Sequence, residues 1–121
     1  TGYGLRHIFE VMREAGGVGK RVVAVGGGTK GGLWTQIVSN VTGMEQVLPR
    51  ETIGASYGDA MLAAIGAGML KQGVEWNPQV SVVRPDPVIR ELYDTLYSIY
   101  RELYPATRSA AHTLADLQVG Y

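Results

Sequence analysis

The chain has no cysteine. Disulfides and thiolate metal sites are therefore excluded. Charge of either sign is not in excess: 11 Lys and Arg balance 11 Asp and Glu, for a formal net charge of +0. No basic surplus argues for nucleic acid, and there is no acidic tail. Only two histidines occur, His7 and His112. Neither has a partner at metal-ligand spacing, so surface or packing roles are expected of both. Long apolar runs are missing as well. The longest weakly polar stretch, Ala60 to Leu70, is too short and too rich in Gly and Ala to cross a bilayer, and nothing resembles a signal peptide. A soluble cytoplasmic protein with no nucleic-acid or membrane partner is the expectation. Repeats and low-complexity segments are lacking too. At 121 residues there is room for one domain at most.

Glycine, by contrast, is plentiful: 17 of 121 residues, about twice the usual share. The glycines cluster at turn positions and inside one small-residue helix. That placement indicates close packing and ligand approach rather than a linker.

Leu5, Ile8, Phe9, Met12 and Ala15 fall at helical spacing, predicting a helix from about Tyr3 to Ala15 that stops at Gly16-Gly17. Lys20 and Arg21 lead into a β-branched strand, Val22 to Val25. Leu33, Trp34, Ile37, Val38 and Val41 mark a second helix ending near Gly43. Glu45 to Leu48 is a brief strand candidate closed by Pro49. From Ala55 to Leu70 the chain reads as a helix that is small and apolar nearly all round, which predicts burial. Glycine costs roughly 1 kcal/mol relative to alanine inside a helix. Gly58, Gly66 and Gly68 therefore suggest close backbone approach. Turns follow at Asn77-Pro78 and Pro85-Asp86-Pro87, where Asp86 can cap a helix with Pro87 at its first position. Ile89, Leu92, Tyr93, Leu96, Tyr97, Tyr100, Leu103 and Tyr104 then form an apolar stripe that Pro105 is expected to break. Ala110, Leu114 and Leu117 allow one more short helix. Two short strands do not make an independent sheet. The organisation implies part of a larger α/β domain, incomplete without strands upstream of Thr1.

The segment richest in information is Val22-Val23-Ala24-Val25-Gly26-Gly27-Gly28-Thr29-Lys30-Gly31-Gly32-Leu33-Trp34. A strand runs into a glycine turn and then a helix, an order that brings bare main chain and helix N–H groups to a nucleotide. A phosphate loop of the form G-x-x-x-x-G-K-[ST] is not met by Gly16-Gly17-Val18-Gly19-Lys20-Arg21. Arg21 stands where Ser or Thr is required, Glu14 takes the first glycine position, and the run precedes the strand. The dinucleotide fingerprint G-x-G-x-x-G does fit, as Gly26, Gly28 and Gly31. It also wants an acidic residue about 20 residues on; here Val47-Leu48-Pro49 is followed by Glu51, and the small-residue helix has no place in that fold.

A third reading comes from resemblance. Val25-Gly26-Gly27-Gly28-Thr29-Lys30-Gly31-Gly32-Leu33-Trp34-Thr35-Gln36-Ile37 is similar to the adenosine motif G-G-G-x-K-S-x-x-W-x-Q of the FGGY carbohydrate kinases. Glu51-Thr52 with Gly54-Ala55-Ser56-Tyr57-Gly58-Asp59-Ala60-Met61-Leu62-Ala63-Ala64 resembles their later connecting motif. The helix before the adenosine strand and the Tyr-rich helix after Pro85-Asp86-Pro87 resemble the rest of the family's C-terminal domain. The resemblance, closest to xylulokinase-like members, covers nearly the whole chain.

It implies an α/β fold: the C-terminal part of an actin-like, ribonuclease-H-like ATPase domain, spanning 1–121. The resemblance further implies that the family's N-terminal sugar-binding and catalytic domain is absent from this sequence. The implied activity is MgATP-dependent phosphorylation of a ketose or polyol hydroxyl, with ATP or ADP and the sugar as partners and a homodimer allowed. The residues assigned to the nucleotide are Gly26, Gly27, Gly28, Thr29, Lys30 and Gly31. Position 31 is commonly Ser or Asn in the family; with Gly31 here, backbone or Gly32 must serve. No catalytic residue and no Mg²⁺ ligand is expected in this chain, so alone it should not be a competent kinase. A non-catalytic actin-like nucleotide-binding module and an NAD-binding oxidoreductase domain remain the alternatives.

Plainer roles compete for single residues. Lys30 is expected as an exposed turn lysine, Trp34 as core, and Thr29 as a cap of the following helix. Asp59 is expected to face solvent or cap. The tyrosines at 93, 97, 100 and 104 are expected in the core or at a domain contact, with their hydroxyls wet.

Overall fold

The computed structural model describes residues 1–17, 19 and 21–119. Val18 and Lys20, part of the rejected phosphate-loop run and of the lead into the first strand, lie outside the described residues. Four helices and three strands follow one another: α1 (Gly2–Glu14), β1 (Val22–Val23), α2 (Leu33–Thr42), β2 (Gln46–Pro49), α3 (Ala55–Gly66), β3 (Gln79–Val83) and α4 (Arg90–Val119). Single 3₁₀ turns occupy Gly27–Thr29 and Pro87–Ile89.

β1 pairs with β2 in parallel, with Val22 opposite Gln46 and Val23 opposite Val47. Parallel neighbours need a crossover, and α2 supplies it. The strand expected over Val22 to Val25 is regular only as far as Val23, although the Ala24 N–H still bonds to the Val47 carbonyl. β3 was not expected. It lies antiparallel to β2, with Val47 opposite Val82 and Leu48 opposite Ser81. Its sequence, Gln79-Val80-Ser81-Val82-Val83 between Pro78 and Pro85, is a fair strand signal.

The core sits on α2. Thr35, Val38, Ser39, Asn40 and Val41 are buried on it, joined by Gln46 of β2 and Tyr97 of α4. Four of these seven side chains are polar, and each is hydrogen-bonded, as burial demands. Asn40, for example, accepts from the Asp86 N–H and from Gln36, which also donates to the Arg84 carbonyl; this ties α2 to the entry of α4. Asp86 caps that entry as expected, accepting from the Val88 N–H at 2.9 Å with Pro87 next in line.

Two expectations about helices fail. Pro105 does not end the Tyr-rich helix; α4 continues through it for 30 residues and absorbs the short helix expected around Ala110 to Leu117. Proline removes one N–H and crowds the preceding turn. All residues from Ser98 to Gln118 are exposed, so water can satisfy the carbonyl that loses its partner. The small-residue helix α3 ends at Gly66, short of Leu70, and buries no residue. A groove of about 450 Å³ separates its Tyr57, Gly58 and Met61 from Val23 and Val47 of the sheet. Tyr57 packs against Trp76 instead, at 5.3 Å between centroids with the rings tilted by 36°, and the Asn77 side chain pairs with both backbone groups of Glu51. Apolar composition predicts burial only where something packs against the helix, and among the described residues nothing covers α3 enough to bury any of its residues.

α1 and α4 are held together by a charged and aromatic seam. Arg6 donates to Asp94 at 2.6 Å, to Glu10 at 3.1 Å and to the Val41 carbonyl, while its guanidinium lies 4.1 Å above the Tyr97 ring. The Tyr97 hydroxyl donates to Glu10 at 2.6 Å. Tyr3 meets Tyr93, Tyr97 and Tyr100. Tyr97 is in the core, as expected, but with its hydroxyl on Glu10 rather than wet; Tyr93 and Tyr100 pack on Tyr3, whereas Tyr104 is exposed and its hydroxyl meets His112. Burial pushes the Glu10 carboxyl up, but bonds from Tyr97 and Arg6 outweigh it and hold the group below the usual carboxylate range. The Arg6 bond likewise holds Asp94 low.

Both folded-state values lie below the unfolded ones, so the seam's contribution is complete above the ordinary carboxylate range. It is lost as pH falls through the depressed values. The melting temperature of the full-length protein should hold from neutrality to mild acid and drop below about pH 4. A Glu10→Gln/Asp94→Asn variant should lack that part of the drop; an identical acid limb in the variant would contradict this account.

Candidate functional site

The six residues assigned to the nucleotide form the turn between β1 and α2. Gly26 opens it with φ 94° and ψ 180°, a conformation open essentially to glycine alone. Its N–H bonds to the Thr52 carbonyl, and the Val25 side chain lies 3.8 Å from where a Cβ on Gly54 would be. The glycine turn and the opening of the second motif are thereby side by side, though 26 residues separate Gly26 from Thr52 in sequence. Gly27 and Gly31 are exposed, and a Cβ on either would meet nothing within 4 Å. That leaves main chain open to a ligand on this side.

Gly28 is different. A methyl group there would sit 2.8 Å from Cδ1 of Trp34 and 3.4 Å from its Nε1. Trp34 therefore packs on the turn rather than in the core, and is 36% exposed. Thr29 does not cap α2; its hydroxyl donates to the Gly26 carbonyl at 2.8 Å and closes the turn on itself. α2 begins instead after Gly32, without a side-chain cap. Lys30 is exposed, as expected, and Asp59 faces solvent.

A set of buried polar residues behind this turn was not singled out from the sequence. Gln46 Nε2 donates to the Thr35 carbonyl and to Ser39 Oγ, the latter at 2.8 Å. Ser39 Oγ donates to the Val83 carbonyl, and Thr35 Oγ donates to the Gly32 carbonyl at 2.8 Å. Only a glutamine on an otherwise apolar strand could have pointed to it.

No group of three or more His, Asp or Glu among the described residues could hold a metal ion. No helix among them is long and apolar enough to cross a membrane.

The profile of the FGGY family of carbohydrate kinases, C-terminal domain, matches residues 1–67. This chain belongs to that family. Curated FGGY relatives include the autoinducer-2 kinase of Enterobacter sp. (strain 638), 31% identical over 105 residues, covering 81% of this chain and 19% of that protein. The xylulose kinase of Staphylococcus epidermidis is 31% identical over 119 residues, covering 95% and 24% respectively. Among solved structures, the xylulose kinase from Rhodospirillum rubrum superposes with a TM-score of 0.74 at 27% identity, over 92% of this chain and 23% of that one. The fold is thus part of the C-terminal domain of an FGGY kinase, an actin-like ATPase fold of mixed helix and sheet. The chain spans about a fifth to a quarter of the length of these FGGY relatives.

Proposed function

We propose that this chain is the C-terminal portion of an ATP-dependent kinase for a ketose or polyol, a cytoplasmic enzyme. On this reading residues 1–121 bind the adenosine of ATP on Gly26, Gly27, Gly28, Thr29, Lys30 and Gly31. A separate N-terminal domain holds the sugar and the catalytic base. Mg²⁺, liganded outside this chain, would neutralise charge on the phosphoryl group in transfer. The observation that carries the reading is the bond from the Gly26 N–H to the Thr52 carbonyl. It joins the open glycine turn to the segment that enters α3. The bare face of α3 then suits a hinge that closes over the sugar and keeps water out. The turn itself fits an adenosine: exposed main chain, positions where only a hydrogen fits the space or the dihedral, and no acidic side chain among the six residues.

The test is ADP release by the full-length protein over a panel of ketoses and polyols, beside direct ATP binding. Release with one sugar and little without it supports the reading. ATP binding with no phosphorylation of any sugar points to a non-catalytic module, and failure to bind ATP overturns both.

A further inference from the structure

We propose that Gln46 is a positioning residue for the nucleotide turn, acting through Thr35 and Gly32. The inference rests on the reading of Gly26 to Gly31 as the adenosine site.

A turn holding Gly26, Gly27, Gly28, Gly31 and Gly32 has almost no side chains with which to fix its own shape. Its rigidity must come from neighbours. At one end, the Thr29 hydroxyl on the Gly26 carbonyl does this. At the other end the first turn of α2 is held by the Thr35 hydroxyl on the Gly32 carbonyl. Behind Thr35 stands Gln46, 4% exposed, on β2 opposite Val22. Both hydrogens of its amide nitrogen are used, on the Thr35 carbonyl and on Ser39 Oγ. Ser39, fully buried, passes the chain on to the Val83 carbonyl. The Gln46 donors run from β2 to α2, and the Ser39 hydroxyl returns from α2 to β3.

An apolar side chain at position 46 would fill the same sheet–helix interface without a buried amide to satisfy. What glutamine adds is direction. It pins one carbonyl of the turn of α2 that Gly31 and Gly32 lead into. A main-chain site held in its bound shape loses less entropy when the nucleotide arrives. Gln46 touches no substrate in this arrangement; its effect falls on the affinity for ATP.

The experiment uses the full-length enzyme with ATP as the varied substrate. Gln46→Met keeps length and removes the donors; Thr35→Val removes only the hydroxyl. Each should raise KM for ATP about five- to tenfold, the worth of one lost hydrogen bond. kcat and KM for the sugar should stay nearly unchanged, and Thr35→Ser should restore the wild-type KM. Tyr97→Phe, which loosens the α1–α4 seam away from the turn, should lower the melting temperature without moving KM for ATP. If Gln46→Met does not fold, Thr35→Val decides. The role falls if neither variant shifts KM for ATP more than Tyr97→Phe, or if kcat falls while KM does not. A Gly28→Val variant run alongside separates the two failures. ATP affinity untouched by that change would overturn the adenosine reading itself, whereas a loss there with no effect at Gln46 and Thr35 overturns only the positioning role.

Discussion

Replacing Gly28 by valine should cost the full-length enzyme about tenfold or more in ATP affinity, the scale on which 1.4 kcal/mol is one factor of ten. The reason is space. Even one methyl group at this position would stand 2.8 Å from the Trp34 ring, closer than carbon atoms pack. Either the turn deforms or the indole swings away, and both disturb the surface on which adenosine is proposed to lie. Overpacking of this kind typically costs about 1–3 kcal/mol of stability. Trp34 is 36% exposed, so the ring can yield outward and the stability loss should fall at the low end. A Gly28→Val/Trp34→Ala double variant should recover most of the melting temperature, because the colliding atoms are gone. Additive losses in that cycle would show that the two residues do not act on one another.

Arg6→Met is the second large effect, and it concerns stability. The Arg6 side chain is 13% exposed and serves Asp94, Glu10 and the Val41 carbonyl while covering Tyr97. Removing one member of a buried ion pair costs about 3–5 kcal/mol, because its partner is left charged and unpaired. Asp94 is 44% exposed here and water will screen part of that, so about 2–3 kcal/mol is expected. Thermal unfolding of the full-length protein measures it. Adding Asp94→Asn to Arg6→Met should return part of the loss by removing the stranded charge. A melting temperature indifferent to Arg6→Met would mean that the tyrosines and the Asn40–Asp86 tie suffice to hold α4 in place.

Much of the local architecture was legible in the residues. The helix from Leu33 to Gly43, the start of α3 at Ala55 and the Asp86-Pro87 entry to α4 all follow from periodicity and capping chemistry, which act over a few residues. The family was legible as well, because the glycine motif and the second motif each keep their own order and spacing. What failed has a common cause. β3 carries a fair strand signal of its own, but its partner, the edge of β2, is supplied by the fold. α3 is bare despite its composition because burial depends on a neighbour. Pro105 sits inside a helix because water can satisfy the carbonyl it strands. Thr29 bonds backwards to Gly26 because the turn closes as a 3₁₀ turn before α2 begins.

The sequence by itself determined which segments could be helix or strand, where the glycine turn lies, and to which family the chain belongs. These are properties of short stretches and of motif order. Only the tertiary structure decided that Gly26 meets Thr52, that Trp34 lies on Gly28, that Arg6 locks α1 to α4, and that Gln46 stands behind the turn. Each of these joins residues whose contact depends on how the chain returns upon itself, and neither periodicity nor propensity carries that information.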